Sequence, residues 1–219
     1  VAGKRVGEIR EDELEHDAGF RNHYEETKYL AELEVERLKA DLPVTIFRPS
    51  VVVGDSQTGE TAKYDGIYYL IQYLRKAPML LRVVNVGNKN VKLNLVPVDY
   101  VVDAIAALAR DKNATGKTIA IADPEPLTTA ELFDVIAKDL TGRKSEFTPP
   151  AKLVEWSLSL KISPPITGLP HSGVPYFFLS QTYDTSVADR LLKPHNISCP
   201  NFASYVANLL DFVEENPTL

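Results

Sequence analysis

Tyr24 and Lys28, in the stretch HYEETKYLAE (23–32), are the residues of this chain whose types and spacing could act together chemically. Positions i and i+4 of a helix share a face, with Cβ atoms roughly 6 Å apart. An ammonium beside a phenol favours the phenolate and lowers a pKa that is about 10 when unperturbed. A tyrosine tuned in this way can exchange a proton with a carbonyl or alcohol oxygen near neutral pH. Hydride transfer to or from carbon requires that proton exchange. Spacing alone does not establish it. With 10 Tyr in 219 residues, one Tyr-x-x-x-Lys match is near the chance expectation, and a solvated helix face is the plain alternative.

Other arrangements carry less. GDSQTGET (54–61) has G-x-x-x-x-G spacing after an apolar stretch, but a phosphate loop needs Lys after the second glycine and Glu60 stands there. An acid at that position repels phosphate, so the stretch reads as a turn. No G-x-G-x-x-G occurs, so the chain holds no dinucleotide fingerprint. His16, His23, His171 and His195 lack the short spacings of zinc sites, and no Ser stands in a G-x-S-x-G elbow.

The elements that must position the pair follow from periodicity and caps. Asn22 can cap a helix, with Glu25 placed as in a capping box. Apolar Leu30, Leu33 and Leu38, with Ala31 and Val35 beside them, carry the helix over roughly 23–41, before Pro43. VTIFRPSVVVG (44–54) reads as a strand buried on both faces. Residues 62–76 read as a helix, LRVVNVG and VKLNLVPV as short strands, and 100–110 as a helix that Asp99 can cap. KTIAIAD (117–123) reads as a strand. A helix over 129–140 has a Thr128/Glu131 capping box and a Gly142 stop. Prolines and weak periodicity make 145–185, including ISPPITGLP, loop-like, and a last amphipathic helix spans about 201–215. Helix followed by buried strand is the rhythm of an α/β parallel sheet.

Composition narrows the classes. A hydrophobic share of 44% with 25% charged residues is that of an ordinary soluble globular protein. A net charge of −6 without a dense Lys/Arg cluster argues against nucleic acid and against an anionic membrane surface. No apolar run approaches the roughly 18–20 residues that span a bilayer. The single Cys199 cannot form an internal disulfide, which fits a reducing cytoplasm. The chain starts with Val1, and Met79 is its only methionine, so we expect a piece of a longer polypeptide.

Four stretches around HYEETKYLAE change the weight of the Tyr-Lys pair. VAGKRVGEIREDEL opens the chain, HYEETKYLAE follows, then VTIFRPSVVVG, then KLNLVPVDYVVDAI, with YDTSVADRLL near the end. This order resembles the extended short-chain dehydrogenase/reductase superfamily, closest to its male-sterility-like or thioester-reductase-like branch. The resemblance implies an α/β fold, here the C-terminal part of a Rossmann-like parallel sheet plus a smaller mixed α+β substrate-binding region. It divides the chain into a Rossmann-like remnant with the catalytic helix (1–61), a substrate-region insertion (62–96), a helix and strand returning to the sheet (97–127) and a C-terminal substrate-binding region (128–219).

By that resemblance Tyr24 is the general acid/base, and Lys28 lowers its pKa and holds the nicotinamide ribose hydroxyls. Pro49, Ser50 and Val51 set backbone groups against the nicotinamide ring and carboxamide. Asp99 is structural, and Arg48 is as well suited to an ion pair as to function. The cofactor implied is NAD or NADP, with hydride transfer to or from a carbonyl, alcohol or thioester carbon. The substrate is a small molecule, with an acyl or polyketide-like one suggested by the tyrosine-rich KYDGIYYLIQYL (63–74), although these tyrosines equally suit a core or an oligomer interface. The glycine-rich nucleotide-binding half and a Ser or Thr of the active site are expected upstream of Val1, making that half a partner and the isolated chain inactive. A homo-oligomer is common in the superfamily. A nucleotide-sugar epimerase or dehydratase and a non-catalytic scaffold remain as alternatives.

Overall fold

The computed structural model describes residues 3–76, 84–145, 147–150 and 179–218. In chain order the elements are β1 (Gly7–Ile9), α1 (His23–Leu38), β2 (Ile46–Pro49), β3 (Val51–Val53) and α2 (Ile67–Lys76). There follow β4 (Leu95–Pro97), α3 (Val98–Leu108), β5 (Thr118–Ile121) and α4 (Thr129–Thr141). The chain closes with β6 (Gln181–Tyr183), α5 (Ser186–Leu192), a 3-10 turn (Lys193–His195) and α6 (Phe202–Glu215). Every named strand pair is parallel: β2 with β5, β3 with β4, and β1 with β6. Parallel strands joined through helices are the expected α/β class.

The stretch 44–54 departs from its expected form. It is two strands that change partner at Ser50: Ser50 N–H donates to Ile121 O, whereas Val51 N–H donates to Asn94 O. Nor is it buried on both faces. Val53 is 4% exposed, but Val51 and Val52 are 42% and 39% exposed. Its β-branched run reflects strand propensity rather than double coverage.

α1 is capped as expected at its start, with Asn22 Oδ1 accepting from Glu25 N–H at 2.9 Å. The Glu25 carboxylate accepts from Arg21 N–H, one residue before the cap. The apolar Leu30, Val35 and Leu38 face outward, and Glu25 is the buried residue of this helix. α2 begins at Ile67 rather than near 62, after Gly66 at φ +54. α3 begins at Val98 with Pro97 at the cap, so Asp99 does not cap a helix over 100–110 but lies in its first turn. α4 has the full Thr128/Glu131 capping box and ends on Gly142 at φ +71.

Of the two stretches expected as strands around 81–98, Leu95–Pro97 is a strand; in the other, residues 81–83 lie outside the described residues and Val84 makes an isolated bridge to Phe147. ISPPITGLP lies outside the described residues. Within the stretch expected as loop, Gln181–Tyr183 is a strand, pairing with β1. The core has two parts. Ile71, Leu74, Phe133, Ile136, Leu209 and neighbours join α2, α4 and α6. Val96, Ala104, Leu108, Ile119, Ile121 and Ala188 join α3, α5 and β5. Among the described residues no helix is long and apolar enough to cross a membrane.

Candidate functional site

The inner face of α1 is fixed by polar ties along its length. At the start, Arg21 Nη1 donates to Glu25 Oε1 at 2.9 Å and to Gly3 O at 2.6 Å. Midway, Arg48 Nε donates to Glu32 Oε1 at 2.7 Å. At the end, Lys39 Nζ donates to Thr118 Oγ1 at 2.8 Å. Tyr29 also stacks among His16 and Phe20, with ring centroids 5.0 and 5.1 Å away. The exposed flank beside it carries Tyr24, 68% exposed, and the exposed Lys28. Among the described residues neither the Tyr24 hydroxyl nor the Lys28 ammonium has a hydrogen-bond partner, so both are free to meet a ligand.

Pro49, Ser50 and Val51 line a cavity of about 280 Å³ together with Gly3, Glu25 and Arg48. The Ser50 hydroxyl is buried and, among the described residues, without a hydrogen-bond partner. A buried hydroxyl without a partner is costly unless a ligand satisfies it, which suits a carboxamide or similar polar group. Tyr24 and Lys28 do not line this cavity; it meets α1 through Glu25, the neighbour of Tyr24. The expected site residues therefore fall into an open pair on α1 and the Pro49–Val51 junction between β2 and β3, where the Ser50 hydroxyl is buried.

The start of the tyrosine-rich stretch, read from the sequence as helix, is a loop that stands beside them. A Cβ placed on Gly66 would sit 3.7 Å from Val51 Cγ1. Lys63, in the same loop, is held above its ordinary pKa mainly by its hydrogen bond with Asp65, with Tyr24 and Tyr69 contributing further. That contribution places Lys63 within electrostatic reach of the Tyr24 hydroxyl. No spacing rule marks such a residue, since the contact depends on how the loop folds back.

The surrounding structure holds this arrangement. Asp99 accepts from Ser56 N–H at 2.9 Å and from Ser56 Oγ at 2.6 Å, clamping GDSQTGET, which is a turn with Asp55 accepting from Gln57 and Thr58 N–H. Of the tyrosines in 63–74, Tyr68 is core: it is 1% exposed, and its hydroxyl accepts from Gly54 N–H at 2.9 Å. Tyr64 packs on it and bonds the Asn216 carbonyl. Glu11 is buried and accepts from the N–H groups of Ala120, Val187 and Ala188 at 2.8, 2.6 and 3.2 Å. Burial pushes its carboxyl above the usual range despite the three donors that pull it down. Sequence reasoning missed this anchor, because its partners lie more than a hundred residues away.

Comparison with known proteins places this geometry in context. Residues 3–105 match the model of an NAD-binding family described as male sterility protein. A fatty acyl-CoA reductase of Drosophila melanogaster (wat) is 36% identical over 93 residues, 42% of this chain and 18% of that protein. An aldehyde reductase of Aspergillus flavus (lnbA) is 24% identical over 197 residues, 87% of this chain and 18% of that protein. Among solved structures, the terminal R domain of the myxalamid PKS-NRPS pathway superposes with a TM-score of 0.75 at 26% identity, over 98% of this chain and 55% of that one. The chain thus spans under a fifth of these two curated relatives and about half of the R domain.

Proposed function

We infer the function from one premise: the chain belongs to the male-sterility-like branch of the extended short-chain dehydrogenase/reductase superfamily. In its parent protein it forms the catalytic-helix and substrate-binding portion of an NAD(P)-dependent reductase acting at a carbonyl or thioester carbon. The observation that carries this is the exposed Tyr24–Lys28 pair on a helix whose adjoining face is pinned by ion pairs. Two reductases among the relatives support the substrate class, an acyl or aldehyde carbon.

The residues present fit the cofactor in one specific respect, the buried Ser50 hydroxyl that lacks a partner. Pro49, Ser50 and Val51 would hold the nicotinamide end, and Lys28 the adjoining ribose hydroxyls. Bound there, the nicotinamide would supply or accept the hydride. Lys28 lies one helical turn from Tyr24, placing an ammonium beside the hydroxyl. Tyr24 would donate its hydroxyl proton to the substrate oxygen during reduction and remove it during oxidation. On this proposal 1–61 and 97–127 belong to the cofactor-binding body, and 62–96 and 128–219 to the substrate region. The chain contains no glycine-rich dinucleotide turn, so the bare 219 residues neither bind dinucleotide tightly nor turn over.

Tyr24→Phe in the full-length parent tests the assignment. Turnover should fall at least about 100-fold while cofactor affinity is retained. Undiminished turnover would remove Tyr24 from the chemistry.

A further inference from the structure

We propose that Arg48 is a positioning residue for the candidate site. Through Glu32 it sets the rotation and height of α1, and so of Tyr24 and Lys28, relative to the Pro49–Val51 turn. The inference rests on the reductase function proposed above.

Arg48 immediately precedes Pro49 in β2. Its Nε donates to Glu32 Oε1 at 2.7 Å, and its Nη1 donates to the backbone carbonyls of Glu11 at 3.2 Å and Arg10 at 3.5 Å. Both side chains are largely withdrawn from water, at 19% and 10% exposure. In such a setting a carboxylate–guanidinium contact is short, directional and costly to break from one side.

The placement of Glu32 gives this contact its reach. Tyr24, Lys28 and Glu32 follow one another at i, i+4 and i+8 along a single ridge of α1. Each step climbs about 6 Å and drifts about 40° around the axis. The ridge therefore begins at the exposed Tyr24 and ends at the sheltered Glu32. Fixing Glu32 fixes both rotation and axial height for the two residues above it.

The other ties of α1 run to the opening segment, through Arg21, and to β5, through Lys39. The tie through Arg48 runs to the strand that leads directly into the turn. Arginine suits this task because its planar fork grips a carboxylate on one edge and carbonyls on another. A lysine would satisfy one side at a time.

The test uses the full-length parent with Arg48→Lys and Glu32→Gln, singly and together. It compares single-turnover hydride transfer per folded enzyme, cofactor dissociation constant and thermal midpoint. Each single variant should slow hydride transfer roughly 10–100-fold, the scale expected from ångström-level misplacement. Cofactor affinity should change by less than about 3-fold, and the double variant should be no slower than the slower single. Rates per folded enzyme equal to wild type, with only the midpoint lowered, would reduce Arg48 to a structural tie and overturn the proposal. Losses that multiply in the double variant would overturn it too, since the two residues would then act separately. If Arg48→Lys fails to fold, Glu32→Gln, which keeps volume and a hydrogen bond, decides alone. A wild-type parent without NAD(P)-dependent turnover rejects the reductase function, and this inference with it. An active parent whose variants are unchanged rejects only the positioning role.

Discussion

Glu11 shows how one buried side chain links distant parts of the chain. Its carboxylate satisfies N–H groups in β5 and at the start of α5 while its own carbonyl receives Arg48. Because burial raises its pKa, the native chain holds the Glu11 proton more tightly than the unfolded chain does. Its contribution to stability is therefore full below the unfolded value of about 4.3, and is lost as pH rises through the raised native value. Urea unfolding of wild type and Glu11→Gln across that interval should show the wild type's relative stability falling with pH. A flat or rising difference would contradict the sign. Glu11→Ala, leaving backbone donors without partners, should cost on the order of 3 kcal/mol. None of this was legible in GEIREDEL, where Glu11 is one acid among several. By contrast the helical placement of Tyr24 and Lys28 was legible, because i, i+4 spacing and the Asn22 cap are local signals.

At the scale of elements, legibility followed the same division between local and distant causes. α4 was readable from its caps and apolar spacing and α6 from its apolar spacing, since these signals lie within each helix. Phe202, Tyr205, Val206, Leu209, Leu210 and Val213, the expected inward face of α6, are all buried. β1 and β6 were not readable. Each is three residues long and exists through pairing with the other. The partner change at Ser50 was hidden for the same reason, as no residue type in RPSVV announces which strand lies alongside. Turn geometry gives a sharper test. Gly59 has φ +74, and a Cβ there would lie 2.0 Å from Asn208 O on α6, whereas Gly116, at φ +79, has nothing within 4 Å. Gly59→Ala should cost about 3 kcal/mol or more, combining backbone strain with overlap. Gly116→Ala should cost only about 1 kcal/mol. Equal shifts of the urea midpoint would mean that the turn at 55–60 does not lock onto α6.

At the scale of the whole molecule, the described residues leave several apolar side chains open along α1, the turn after it and β3. Leu30, Leu38 and Leu42 are each about half exposed, and Val51 and Val52 stand open on β3. Exposed apolar patches of this kind mark contact surfaces. In the bare chain, Leu38→Glu should reduce hydrophobic-dye binding and self-association while changing stability by less than about 0.5 kcal/mol. A loss of several kcal/mol would show that α1 packs more tightly than its exposure indicates.

The pairing of β1 with β6 sets a timetable for synthesis. Gln181 bonds the carbonyl of Gly3 across a separation of 178 residues. At ribosomal speeds of about 5–20 residues per second, the opening strand waits roughly 10–35 s for its partner to be made. Throughout that interval GEIREDEL must stay available and unpaired beside the growing chain. Its density of charge, with one acid or arginine at nearly every second position, keeps a waiting strand soluble and discourages pairing with the wrong edge.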